Sequence, residues 1–178
     1  MLDETEKAKF NKRLERAHAL ESAFHRAFLS LGWWSHRITD AESAPLLSIP
    51  RSSKHTRAPD IIIFARHRYH LIEIKVSLIE DHCVSLYRHQ LTAYMNSINE
   101  PFILMICASS GNYAGRVGAI TLERISEYLI HSDSEKLSIP IMDLDLIGEY
   151  SQNNVYLNTD RLRRVLEETS VKTKKGSV

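Results

Sequence analysis

The stretch Ala58–Lys75, "APDIIIFARHRYHLIEIK", sets an aspartate flush against IIIF, then a glutamate and a lysine inside a second aliphatic run. Charged side chains beside a core are unfavourable unless they are paired, exposed or bound to a metal. The two apolar runs read as strands, Asp60–Ala65 and His70–Val76, joined by the polar "RHRY" as an antiparallel hairpin with a longer turn. Alternation along the second strand sends Leu71, Glu73 and Lys75 to one face and Ile72, Ile74 and Val76 to the other. The acid and the amine therefore sit side by side. The pattern does not set the register, so a meeting of Asp60 and Glu73 at one point is one geometry among several.

Outward from this hairpin, residues 4–31 read as one long helix, rich in Ala, Leu, Glu, Lys and Arg, without Pro or Gly and ended by Gly32. Leu14, Ala17, Phe24, Phe28 and Leu31 recur at helical spacing as its buried stripe, and Glu21 falls on that stripe. "WWSHRI" predicts a strand whose adjacent Trp33 and Trp34 read as one core anchor and one interface residue, with stacking on exposed bases as the alternative. Residues 40–59 hold three prolines and no clear period, and loops of that length in a compact domain are usually functional or disordered. This one carries Arg51, Lys54 and Arg57.

Beyond the hairpin, "SLYRHQLTAYMNSIN" predicts a helix with Tyr87, Leu91, Tyr94 and Ile98 along one face. "PFILMICA" predicts a central strand covered on both sides, and "VGAIT" a short strand after a turn. "LERISEYLIHS" and "TDRLRRVLEET" predict two more helices, the last capped by Thr159 or Asp160. The expected fold class is α/β, a mixed central sheet flanked by helices. One domain spans 1–178, with a core over about 10–121, a helical extension over about 122–170 and a mobile tail at 171–178.

Composition narrows the classes. Apolar residues at 43% and charged residues at 25% are those of an ordinary soluble globular protein. No apolar run reaches membrane-span length, and the charged N-terminus lacks a signal-peptide apolar region, so a cytoplasmic protein without membrane contact is expected. Cys83 and Cys107 have no CxxC spacing and read as reduced core thiols. Residues 1–121 hold fifteen Lys/Arg against twelve Asp/Glu, leaving eight against ten of the totals of 23 and 22 for the rest. That mild excess permits an anionic partner.

Two carboxylates and an adjacent lysine suit Mg2+ chemistry. The ion takes one or two protein carboxylates plus waters and substrate phosphate, and a neighbouring lysine can stabilise charge building on that phosphate. The rival reading is a half-exposed strand that shows a Glu–Lys pair to solvent. With Pro59-Asp60 on one strand and Glu73-Ile74-Lys75 on the next, the chain resembles the PD-(D/E)xK nuclease superfamily, whose fold is restriction-endonuclease-like. Within it, the basic loop before "PD" and "HQLTAY…PFILMI" after "ExK" are similar to Holliday junction resolvases of the RecU and archaeal types, over residues 14–108.

The resemblance implies a Mg2+-dependent DNA endonuclease, with Mn2+ as a substitute, that resolves branched DNA in recombination and repair and works as a homodimer. It implies that Asp60, Glu73 and the Ile74 backbone carbonyl hold the metal, and that Lys75 positions the attacking water. Glu21 would hold a second ion or a water on the metal, and Gln90 would support Lys75 or a phosphate. Arg51, Lys54 and Arg57 would grip DNA phosphates. Two alternatives stay open: a sequence-specific or end-directed duplex nuclease, and a non-catalytic DNA-binding module.

Overall fold

The structure is a computed structural model that describes residues 3–38, 59–97, 101–151 and 154–171. Its first element is α1, Glu4–Ser30, opened by Asp3, whose side chain accepts the Thr5 N–H. The elements that follow are β1 (Trp34–Arg37), β2 (Ile61–Ala65), β3 (Arg68–Ser77), β4 (Ile79–Glu80), β5 (Cys83–Tyr87) and α2 (Arg88–Ser97). Then come β6 (Phe102–Ala108), β7 (Arg116–Thr121), α3 (Leu122–Ile130), β8 (Lys136–Pro140), β9 (Asp145–Tyr150), β10 (Val155–Leu157) and α4 (Thr159–Val171).

Among the described residues, seven strands form the central sheet in the order β1-β2-β3-β6-β7-β9-β10, with β3 and β6 parallel and every other neighbouring pair antiparallel. A mixed sheet flanked by helices is the fold class expected. A second, three-stranded sheet runs β4-β5-β8. Strand β6 is buried at all seven positions. Its Ile103, Met105 and Cys107 face a core shared with α1 and α4, while Phe102, Leu104 and Ile106 face one shared with α2, α3 and the small sheet. The two-sided apolar run is what a central strand requires.

Several local expectations are corrected. The buried stripe of α1 is Leu20, Ala23, Phe24, Ala27 and Phe28, whereas Leu14 and Ala17 are exposed, because the helix meets the sheet only with its second half. The hairpin turn is shorter than "RHRY": β2 and β3 join through Arg66 and His67 alone, both at positive φ (55° and 64°). A two-residue turn with both central residues in that region matches the strand twist, and the absence of Asn-Gly hid it. Tyr87 belongs to β5 and not to α2, and Ile98 lies outside the described residues. The segment 122–170 is not purely helical. It also supplies β8, β9 and β10, two of which extend the central sheet. The cap of α4 is Asn158, whose Oδ1 accepts the Arg161 N–H at 3.0 Å.

Cys107 is buried and Cys83 half-buried, both free, and burial pushes the Cys107 thiol up to about 12. No helix among the described residues is long and apolar enough to cross a membrane.

Candidate active site

The register that the sequence left open decides the site. Strands β2 and β3 pair from Ala65↔Arg68 back to Ile61↔Ile72. One residue before Ile61 the ladder breaks: the Asp60 N–H donates to the Ile72 carbonyl at 3.0 Å. There the ladder with β2 stops, while β3 runs on against β6 alone through Glu73↔Leu104 and Lys75↔Ile106. With β2 gone, the Ile74 N–H is taken by the Asp60 side chain, whose Oδ2 accepts it at 2.7 Å. Both acids thus come to the point where two paired strands part.

Glu73 and Lys75 share the face of β3 that also carries Leu71, as strand alternation requires. The Lys75 Nζ lies 2.5 Å from Glu73 Oε1, with side-chain exposures of 26% and 3%. The rival picture of a solvated surface pair therefore fails for Glu73. Its second oxygen, Oε2, is buried with no hydrogen-bond partner among the described residues. A buried carboxylate oxygen left unpaired is a substantial desolvation penalty.

Asp60 responds to the same surroundings. Its carboxyl is pushed up to about 7, chiefly by burial and next by the Glu73 charge; Glu21 adds to the rise, while the Ile74 N–H and Lys75 oppose it. A pair of carboxylates in this state is short of positive charge, and one lysine does not supply all of it.

Glu21 sits in α1 near enough to act on Asp60, but its Oε2 accepts from Arg37 Nη2 at 2.8 Å. Arg37 also donates from Nη1 to Ser22 Oγ at 2.9 Å, and its Nε is buried without a partner among the described residues. This arginine, on β1, is the site-adjacent residue that sequence reasoning missed; the only signal was its place in a short strand after α1. Beside it, His25 Nδ1 and Ser35 Oγ lie 2.9 Å apart. Gln90 is half-buried in the first turn of α2, the helix over the Glu73 face of the sheet. Arg51, Lys54 and Arg57 lie outside the described residues.

No group of three or more His, Cys, Asp or Glu side chains among the described residues is arranged to hold a metal ion. Glu21, Asp60 and Glu73 are therefore not a three-carboxylate cage. Two carboxylates nevertheless match what a Mg2+-type ion asks of a protein when water and phosphate complete its shell. The orphaned Glu73 Oε2 and the raised Asp60 carboxyl are the two places where such a charge fits.

No family model and no curated protein matches the chain. Among solved structures, the chain is similar to Hjc, a Holliday junction resolvase from the archaeal hyperthermophile Archaeoglobus fulgidus, at 13% identity and a TM-score of 0.40. The match covers 72% of this chain and 87% of that one.

Proposed function

We propose that the protein is a metal-dependent DNA endonuclease of the PD-(D/E)xK type, acting on branched DNA. The observation that carries the reading is Glu73: a buried carboxylate with one oxygen on Lys75 and the other without a partner among the described residues, close enough to raise the Asp60 carboxyl at the parting of β2 and β3. A purely structural ion pair gains nothing from such an oxygen, because a buried acceptor left unsatisfied carries its full desolvation penalty.

Asp60 and Glu73 would hold the divalent cation, with the Ile74 carbonyl as a further oxygen donor. When bound, the cation supplies Lewis-acid stabilisation of the phosphate charge. Lys75 Nζ would orient the attacking water and meet the negative charge that grows on the phosphate oxygens as the water oxygen bonds to phosphorus and one P–O ester bond breaks. Its salt bridge to Glu73 holds the amine at the site. Arg37 restrains Glu21, so that the carboxylate acts on the site as a fixed charge or through water. Gln90 supports a phosphate or Lys75 from the α2 side, and Arg51, Lys54 and Arg57 grip phosphates further along the DNA. The preference for branched DNA and a two-fold dimer follow from the sequence resemblance and from the two symmetric cuts a four-way junction needs.

The test is cleavage of a labelled four-way junction against matched linear duplex, with and without Mg2+, by the wild type and by Glu73→Ala. Paired, Mg2+-dependent nicks at the branch that vanish in the variant are expected. Cutting of plain duplex would discard the substrate and keep the site, and junction binding without any cut would discard the enzyme.

A further inference from the structure

Three strands carry their side chains in rows on the face that holds Glu73 and Lys75. Two rows from the acids, the registers Trp34↔Phe64 and Phe64↔Tyr69 set three aromatic rings side by side across β1, β2 and β3. Phe64 and Tyr69 meet edge-on with centroids 5.1 Å apart, Tyr69 meets Trp34 at 6.0 Å, and the His36 ring stacks on Trp34 at 6.1 Å. Trp33, by contrast, stacks on Phe28 beneath α1 and belongs to the opposite core. The three rings are exposed, at 51% for Trp34, 40% for Phe64 and 49% for Tyr69.

The proposed mechanism uses none of them, and a fold gains little by leaving three braced aromatics in water. At ~200 Å2 per aromatic side chain, these exposures leave roughly 280 Å2 of surface. That is far below the ~800 Å2 per partner of a stable protein interface, so a second copy of the chain is a poor match. It is ample for one or two nucleobases, each of which presents a π-face to a ring whatever its identity. The distance agrees. Tyr69 precedes Glu73 by four strand residues, about 13 Å, which is at most four nucleotides of a strand rising ~3.4 Å each.

We infer that Trp34, Phe64 and Tyr69 form a stacking platform for unpaired nucleobases, placed within four nucleotides of the phosphate held at Asp60, Glu73 and Lys75. The inference rests on the nuclease reading for the position of that phosphate, though not for the binding itself. The platform would select substrates in which bases near the cut leave the helix stack, as they can at a branch and do not in continuous duplex.

The experiment measures binding without cleavage. In EDTA, fluorescence polarisation gives the affinity for a labelled oligothymidylate, a four-way junction and a perfect duplex, for the wild type, Trp34→Ala and Trp34→Phe. Trp34 is half-exposed, so both variants should melt as the wild type does. Trp34→Ala is expected to weaken oligothymidylate binding about fivefold or more, the lower end of one base–aromatic stack. Trp34→Phe should restore most of that loss, and duplex binding should be the same in all three. Unchanged oligothymidylate binding in Trp34→Ala overturns the inference. So does an equal loss on duplex, or a wild-type dimer that Trp34→Ala converts to monomer in sedimentation. Cleavage is scored separately. Trp34-dependent binding with no cutting by the wild type supports the platform and defeats the nuclease reading, while Glu73-dependent cutting with unchanged binding does the reverse.

Discussion

Removing the charge of Asp60 should make the metal-free protein more stable, by an amount that grows as pH rises from about 4 to about 7 and then levels off. In the folded chain this carboxyl is pushed from 3.8 up to about 7. Because the folded pKa is the higher one, the native state binds more protons than the unfolded chain between about pH 4 and 7, and stability falls as pH rises through that window. About three units correspond to roughly 4 kcal/mol at pH 8. Asp60→Asn abolishes the charge and keeps an oxygen to accept the Ile74 N–H. The variant should therefore gain up to about 4 kcal/mol at pH 8 and almost nothing at pH 4.

His70 makes the comparison sharper. It is fully buried on β3, neither ring nitrogen has a hydrogen-bond partner among the described residues, and its pKa is lowered to about 4. Burial is the chief cause and the Arg68 charge the second; the nearby Ala65 backbone opposes them without meeting hydrogen-bond geometry. Here the unfolded chain binds the extra proton, so stability rises with pH between about 4 and 6.5, by roughly 3 kcal/mol. The two groups oppose each other across nearly the same window. Wild-type stability should vary little with pH there, while Asp60→Asn should show the His70 slope uncovered. Urea denaturation in EDTA at half-unit steps from pH 4 to 8 reads both effects. A variant less stable than the wild type at pH 8, or a gain as large at pH 4 as at pH 8, would refute the reasoning.

Three further outcomes are expected. Lys75→Met leaves Glu73 buried and without its ion pair, and should lower stability in EDTA by about 3 kcal/mol or more by urea denaturation; adding Glu73→Gln should recover much of the loss. Mg2+ at a hundred times its dissociation constant should raise stability by about 2.7 kcal/mol in the wild type, seen as a higher Tm, and Glu73→Gln should abolish the increase; an equal rise in the variant would move the cation elsewhere. Gly148→Ala should destabilise more than any other single Gly→Ala change in the central sheet, because a Cβ there collides with the Tyr156 carbonyl across the β9–β10 pair, and backbone cannot yield as a side chain does. Thermal melts of Gly148→Ala beside Gly118→Ala, whose Cβ would meet the Leu144 side chain at 3.0 Å or more and no backbone atom among its nearest neighbours, test this directly.

The amino-acid sequence by itself determined the elements whose pattern is local. Period-two alternation placed Glu73 and Lys75 on one face, the unbroken run in β6 marked a strand covered twice, and a stretch without Gly or Pro made α1. What depends on pairing over distance was not legible. The length of α1 that is buried depends on where the sheet ends, so Leu14 read as core and is exposed. The strands within 122–170 are short, and β8 and β9 find sheet partners in β5 and β7, earlier in the chain. Arg37 reaches Glu21 across fifteen intervening residues, a contact that no periodicity encodes. The site follows the same division. Its residue types were visible in "PD" and "EIK", but that β2 ends at Ile61, that the Asp60 side chain takes the Ile74 N–H, and that one Glu73 oxygen has no partner among the described residues were decided by strand register and burial. Register is a property of two strands in contact, and the electrostatics of a carboxylate are set by what surrounds it in space.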